Sequence, residues 1–276
     1  MFVDLDGRRV YAYTGGKTFD PSKPLVVFVH GAQNDHSVWG LQSRALAHHG
    51  YAVLAVDLPG HGRSAGPPLS SVESISAWTL RLVAAVGGDE PEATIVGHSM
   101  GSLVAVEAAS QAGSDGAPAR VARIVAVANA YPMQVSDALL DATRDDEARA
   151  ITMVSLWSSE TSHGGFSQKP SSPAPGFGVV WGNRRLMERQ APGVMHVDFI
   201  ACNAYRNGEV AAANVACPAL FILGAKDAMT PARSGRAFAK TIDGARVVEL
   251  AGVGHNVMAE APDAVLDALT AFLRER

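Results

Sequence analysis

The chain has 276 residues, 47% of them hydrophobic and 18% charged, with a formal net charge of −4. That composition belongs to a folded protein with a sizeable core, not to a disordered chain. The mild negative charge gives no electrostatic attraction for nucleic acid or an anionic membrane, so neither is expected as a partner. Met1-Phe2-Val3-Asp4-Leu5-Asp6 carries acids where a secretory leader would carry a basic and then an apolar stretch. No apolar run reaches the ~20 residues that cross a bilayer. The expectation is a cytoplasmic protein.

Residues 1–14 read as a β-hairpin, with Asp6-Gly7 as the turn between Phe2-Val3 and Val10-Tyr11-Ala12-Tyr13. A loop of Gly, Pro, Ser and Lys follows. Leu25-Val26-Val27-Phe28-Val29 is a continuous apolar run, the mark of a strand buried on both faces. His30-Gly31-Ala32-Gln33 ends it, and a helix capped by Ser37 is expected to carry Val38, Trp39, Leu41 and Leu46. Tyr51–Val56 is the next buried strand. It stops at the turn-rich segment Asp57-Leu58-Pro59-Gly60-His61-Gly62-Arg63-Ser64, read as a structural turn with solvated charges. Residues 72–86 are helical, with Ile75, Trp78, Leu82 and Val86 on one face. Ala93–Val96 and Val121–Val127 are further strands.

This alternation of strand and helix predicts a parallel sheet with helices on both faces. The rhythm breaks over residues 130–212. Gln134–Trp157 has helical periodicity, Ser158–Gly178 is an irregular Ser/Pro/Gly-rich loop, and short helices are expected near Leu186 and over Val197–Tyr205. We read 130–212 as a mainly helical insertion above the sheet edge, dividing a core of 1–129 and 213–276. The rhythm returns with a strand at Ala219–Gly224, a helix near 231–241, a strand at Arg246–Leu250 and an amphipathic helix from Pro262 to Leu273.

The chemistry is carried by Gly97-His98-Ser99-Met100-Gly101, set between a β-branched strand and an Ala/Val-rich helix. This G-x-S-x-G pattern is a nucleophile elbow, which lifts a serine hydroxyl clear of the sheet at a helix N-terminus. A serine hydroxyl is a poor nucleophile without a base, a group orienting that base, and donors for the oxyanion. Asp227 in Gly224-Ala225-Lys226-Asp227 and His255 in Gly254-His255-Asn256 each follow a strand, and Ser99, Asp227, His255 is the chain order this arrangement requires. The oxyanion donors are expected at the N–H groups of Met100 and Ala32, with Gln33 as a side-chain contributor. His98 is read as a spacer in the elbow. Cys202 and Cys217 lie in apolar contexts and form no C-x-x-C, and the nine histidines form no H-E-x-x-H. Gly15-Gly16-Lys17-Thr18 lacks the earlier glycine of a phosphate-binding loop, Tyr11 standing in its place.

Taken together, His30-Gly31, the 57–64 turn, the elbow, Gly224–Asp227 and Gly254-His255 resemble the α/β-hydrolase fold superfamily, in the branch with a helical cap inserted after the sixth strand. The resemblance spans residues 30–255. It implies a Ser, Asp and His triad working on a small-molecule substrate without a cofactor. Ser99 argues against the dehalogenase and epoxide hydrolase members, which carry aspartate there. The expected reaction is hydrolysis of a small to medium, moderately apolar carboxylic ester. Alternatives are C–C hydrolysis of a vinylogous diketone, a haloperoxidase-like activity, amide cleavage, and a ligand receptor on the same fold. Substrate contacts are expected from the cap: Trp157 and Trp181 foremost, among Met133, Met153, Leu156, Phe166, Phe177, Met187 and Met195. Arg184, Arg185 or Arg206 would hold a substrate carboxylate, and Glu160 or Asp198 a substrate amine.

Overall fold

The computed structural model describes residues 1–158 and 178–275. The chain begins as a hairpin of β1 (Phe2–Leu5) and β2 (Arg8–Tyr13). Asp6 and Gly7 take positive φ, 52° and 71°. Two consecutive left-handed residues match the right-handed twist of the flanking strands, and Asp-Gly adopts them at little cost. β2 pairs antiparallel with β4 (Ala52–Val56). Every later pair is parallel, through β3 (Leu25–Val29), β5 (Glu92–His98), β6 (Arg120–Val127), β7 (Ala219–Gly224) and β8 (Arg246–Leu250). The order across the sheet is β1-β2-β4-β3-β5-β6-β7-β8. The chain moves outward from β3 to β4 and returns on the other side as β5. A crevice therefore opens beyond the carboxyl ends of β3 and β5, where the connections diverge.

Both faces of the sheet are covered, as the unbroken apolar runs require. All five residues of β3 are buried. Leu25, Val27 and Val29 join one apolar cluster, with Trp78 of α2 (Val72–Val86) and Leu103 of α3 (Met100–Ala112). Val26 and Phe28 join the other, with Leu46 of α1 (Gly40–His48) and Leu269 and Phe272 of α11 (Pro262–Arg274). β4, β6 and β7 split their residues between the two clusters in the same alternation. Each such side chain stabilises the fold by ~1.5–3 kcal/mol relative to exposure. The helix after β3 begins differently from expectation. Asp35, not Ser37, is the cap, accepting from the Ser37 N–H over a short 3₁₀ turn, and α1 starts only at Gly40. Ser37 instead donates its hydroxyl back to the same carboxylate.

Between β6 and β7 the described residues contain only helices: α4 (Asp137–Asp145), α5 (Glu147–Trp157), α6 (Val179–Met187), α7 (Val194–Ala204) and α8 (Gly208–Ala213). Leu139, Ala150, Ile151, Val154, Met187, Met195 and Phe199 form an apolar cluster of their own above the sheet. The end of α7 and all of α8 do not belong to it. Cys202, Tyr205, Ala211 and Ala212 pack into the sheet's own core beside α3. The apolar cluster above the sheet thus draws its last member, Phe199, from within α7. Three further helices complete the description, α9 (Ala232–Ala239) after β7, the short α10 (Val257–Glu260) and α11. No helix among the described residues is long and apolar enough to cross a membrane.

Candidate active site

Strand β5 delivers Ser99 to the crevice. Ser99 is the N-cap residue of α3, with φ 52° and ψ −114°, a conformation costly for any residue but glycine. The surrounding backbone fixes it. Its N–H donates to the Val127 carbonyl, and its own carbonyl accepts from the Ser102 N–H and hydroxyl. Gly97 and Gly101 make the turn possible by close approach. A Cβ on Gly97 would lie 1.8 Å from the Gly101 carbonyl oxygen, and one on Gly101 would lie 2.4 Å from that of Val29. The loop after β3 runs directly beside Ser99, since a Cβ on Gly31 would be 3.2 Å from that of Ser99. Met100 opens the first turn of α3, and Ala32 follows Gly31 in the loop beside Ser99. A first-turn N–H has no partner within its helix.

Asp227, after β7, and His255, after β8, meet at 2.8 Å between Oδ2 and Nδ1. Oδ1 of Asp227 accepts from the N–H groups of Met229 and Thr230, and the Thr230 hydroxyl donates to Oδ2 at 2.6 Å. Burial alone would raise this carboxyl, but His255 and Thr230 outweigh it and hold Asp227 below the ordinary carboxylate value. An ionised Asp227 requires the proton of His255 on Nδ1, which leaves Nε2 as the lone-pair nitrogen. His98, read from sequence as a spacer, does more. Its Nε2 donates to the His255 carbonyl at 2.9 Å, and burial, then His255, lower its pKa to about 3. A second tie comes from the end of α5. The Ser158 carbonyl accepts from the N–H groups of His255 and Asn256 and from Asn256 Nδ2. Thr230 and Ser158 were not singled out by sequence. The first carries a local signal, a hydroxyl three residues past a turn aspartate; the second carries none.

A cavity of about 220 Å³ lies over these groups. Ser99, His255, Ala32, Thr230 and Asn34 line it, with Met133, Leu139, Val154, Trp157, Met187, Phe199 and Met229 supplying apolar surface. Cys202 also lines it, its thiol pKa raised by burial and then by Asp198. Apart from the two histidines, no described residue of the lining is ionisable near neutral pH.

Several expected contacts fall elsewhere. Trp181 is 58% exposed and is not part of the described lining, because its position on α6 faces outward. Gln33 is fully buried, but its amide donates to Glu147 and to the Met187 carbonyl, turned away from the cavity. Arg184 and Arg185 pair with Glu188, and Arg206 donates to the carbonyls of Asn203 and Tyr205. None of the three lines the cavity, so no described arginine holds a substrate carboxylate there. Asp198 is buried against His61 and the Gln33 N–H and offers no anchor for an amine. Glu160, Phe166 and Phe177 lie outside the described residues. The 57–64 turn is not a solvated one: Asp57 is buried, accepting from the N–H groups of His36 and Arg63 and facing the His36 ring at 2.7 Å. Asp35, His36 and Asp57 bring ligand atoms within 4.8 Å of one another. Their oxygens already serve this turn and the Ser37 cap.

Residues 26–268 match the model of the alpha/beta hydrolase family, and the chain belongs to that family. Among solved structures, it resembles an enol-lactonase from Burkholderia xenovorans, with a TM-score of 0.81, 23% identity and full coverage of both chains. A thermophilic esterase from Thermogutta terrifontis superposes with a TM-score of 0.80 at 20% identity, covering 99% of this chain and 97% of that one. Among curated proteins, the biotin biosynthesis bifunctional protein BioHC of Teredinibacter turnerae is 24% identical over 93% of this chain and 45% of its own length. The acetyltransferase component of the acetoin cleaving system of Cupriavidus necator is 35% identical over 50% of this chain and 33% of its own. The chain thus spans between a third and about half the length of these curated relatives.

Proposed function

We propose that the protein is a serine hydrolase that cleaves a small, neutral and moderately apolar carboxylic ester through an acyl-enzyme. The observation carrying this reading is that Ser99 and a His255 fixed by Asp227 face one cavity whose described walls bear no carboxylate, lysine or arginine. In this reaction His255 Nε2 takes the Ser99 proton as Oγ attacks the carbonyl carbon. The N–H groups of Ala32 and Met100 donate hydrogen bonds to the tetrahedral oxyanion and stabilise its charge. Collapse breaks the bond to the leaving alkoxide, which departs with the proton from His255. Water then attacks the acyl-Ser99 with His255 as base, releasing the acid and restoring the hydroxyl. Throughout, Asp227 stays ionised and stabilises the imidazolium.

The cavity is smaller than the ~300–1,000 Å³ of sites for drug-sized ligands, which favours a short acyl group. None of the described lining residues is a carboxylate that could anchor an amine, which weighs against an aminopeptidase, and the triad weighs against a purely non-catalytic receptor. The test is reaction with a fluorophosphonate, read by intact mass, beside Ser99→Ala. One adduct on the parent and none on the variant, with turnover of p-nitrophenyl acetate by the parent only, is expected. A parent without an adduct between neutral and mildly basic pH, or a Ser99→Ala variant with full activity, overturns the assignment.

A further inference from the structure

The loop that carries Ala32 is held from above by the helical insertion. Gln33 has φ 56°, in the left-handed region where a side chain is strained. Its N–H donates to Asp198 Oδ2 of α7 at 2.7 Å. Its side-chain amide donates to Glu147 of α5 and to the Met187 carbonyl at the end of α6. All three partners come from the insertion, none from the sheet. The preceding peptides are equally constrained. The Ala32 carbonyl accepts from Asn34 Nδ2, and the Gly31 carbonyl from His30 Nδ1 at 2.8 Å and from the Asn34 N–H.

Among the described residues Asp198 pairs with His61 of the 57–64 turn, 2.8 Å from its Nε2. The other ring nitrogen, Nδ1, faces the Pro59 carbonyl at 3.0 Å. Acceptors on both nitrogens favour the doubly protonated ring; burial alone would lower the His61 pKa, but Asp198 outweighs it and raises it. Its neighbour His30 is the opposite case. There Nε2 accepts from the Leu58 N–H while Nδ1 donates, so the ring is neutral, and burial, then His61, lower its pKa to about 4. His61 and Asp198 thus form a buried pair between the core and α7, with Asp57, His30 and the Cys202 thiol as the other described ionisable groups facing it. A buried pair is a poor source of stability, because its desolvation offsets its attraction. It is an effective way to hold one backbone N–H in place.

From this arrangement we infer that Asp198 is a positioning residue for the oxyanion hole: from α7 it seats the Gln33 N–H, with His61 as its counter-ion, and so fixes the adjacent Ala32 donor. The inference rests on the serine-hydrolase reading above. Docking of the insertion then completes the donor set, and an undocked insertion leaves Gln33 free to relax from its left-handed conformation.

Two variants test this. Asp198→Ala removes the acceptor. His61→Met combined with Asp198→Leu removes it while keeping the volume filled and leaving no unpaired buried charge, so the fold survives. Each is measured by thermal melting, by kcat and KM on p-nitrophenyl acetate, and by inhibition with a trifluoromethyl ketone and its matched methyl ketone. The first inhibitor develops an oxyanion on addition of Ser99; the second stays a neutral carbonyl. The folded double variant is expected to lose ~10–10² in kcat, the cost of a misplaced donor, with KM within about threefold. Affinity for the trifluoromethyl ketone falls by a similar factor, and affinity for the methyl ketone holds. A double variant with parental kcat, or an equal loss for both ketones, overturns the inference. If the parent itself gives neither ester turnover nor a fluorophosphonate adduct, it is the serine-hydrolase reading that has failed, before any change at 61 or 198.

Discussion

Replacing Asp227 with asparagine changes one atom and should nearly abolish turnover. Oδ1 accepts two backbone N–H groups, from Met229 and Thr230, so the amide oxygen of Asn must occupy that position. The NH₂ group then falls at Oδ2, 2.8 Å from His255 Nδ1. Two donors cannot share that line, and His255 moves its proton to Nε2, the nitrogen that has to receive the proton of Ser99. Fold and burial survive, because the Thr230 hydroxyl, 2.9 Å from the Ala128 carbonyl, turns to donate there and accepts from the new amide. A wrong tautomer of this kind costs ~10⁴ in kcat, or about 5.5 kcal/mol of barrier. The assay is p-nitrophenyl acetate hydrolysis at neutral pH, with circular dichroism to establish that the variant is folded. Asp227→Asn retaining kcat within tenfold of the parent would refute the tautomer argument and, with it, the role assigned to Asp227.

Further outcomes follow from the same geometry. Trp157→Ala widens the cavity wall and should shift preference toward longer acyl chains, raising the ratio of kcat/KM for p-nitrophenyl octanoate over acetate by about tenfold. Trp181→Ala, outside the described lining, should leave that ratio within twofold; an equal shift in both variants would contradict the placement of the two tryptophans. Gly101→Ala drives a methyl into the Val29 carbonyl and should cost about 3 kcal/mol or more, lowering Tm by ~6 °C or more; an unchanged Tm would show that the elbow relaxes freely. The Asp57 carboxyl would be raised by burial, but His36 outweighs burial and holds it below its ordinary value, as His255 does for Asp227. A depressed carboxyl stabilises the fold above its unfolded value and loses that contribution as pH falls through its folded value. The urea midpoint should therefore drop below about pH 4, and less steeply in Asp57→Asn. An identical acid slope in parent and variant would rule out Asp57 as a contributor.

The sheet was legible because burial on both faces leaves a plain trace. Runs such as Leu25–Val29 and Ala219–Leu223 are apolar without interruption, and each is a strand in the structure. The elbow was legible because its glycines answer a steric demand that no other residue meets. Asp227 and His255 could be named because the turns that end β7 and β8 leave little else ionisable there. What sequence did not give is the direction in which side chains point. Gln33 lies beside the expected oxyanion donor, and chain position alone makes it a substrate contact. Its left-handed backbone sends the side chain to Glu147 and Met187 instead. His61 and Asp198 are 137 residues apart, and no local pattern joins them. Trp157 and Trp181 are equally plausible on composition; only helix orientation separates them.

The Ser158 carbonyl gathers three hydrogen bonds from the His255–Asn256 segment, two of them from main-chain amides. The Asn256 amide is held by Glu260 Oε1 as well, so it is the His255 amide whose exchange with solvent waits for the end of α5 to lift away. Its hydrogen–deuterium exchange rate thus serves as a clock for breathing of the insertion, read at His255 itself. A ligand that draws α5 down slows that clock, even when it never touches His255.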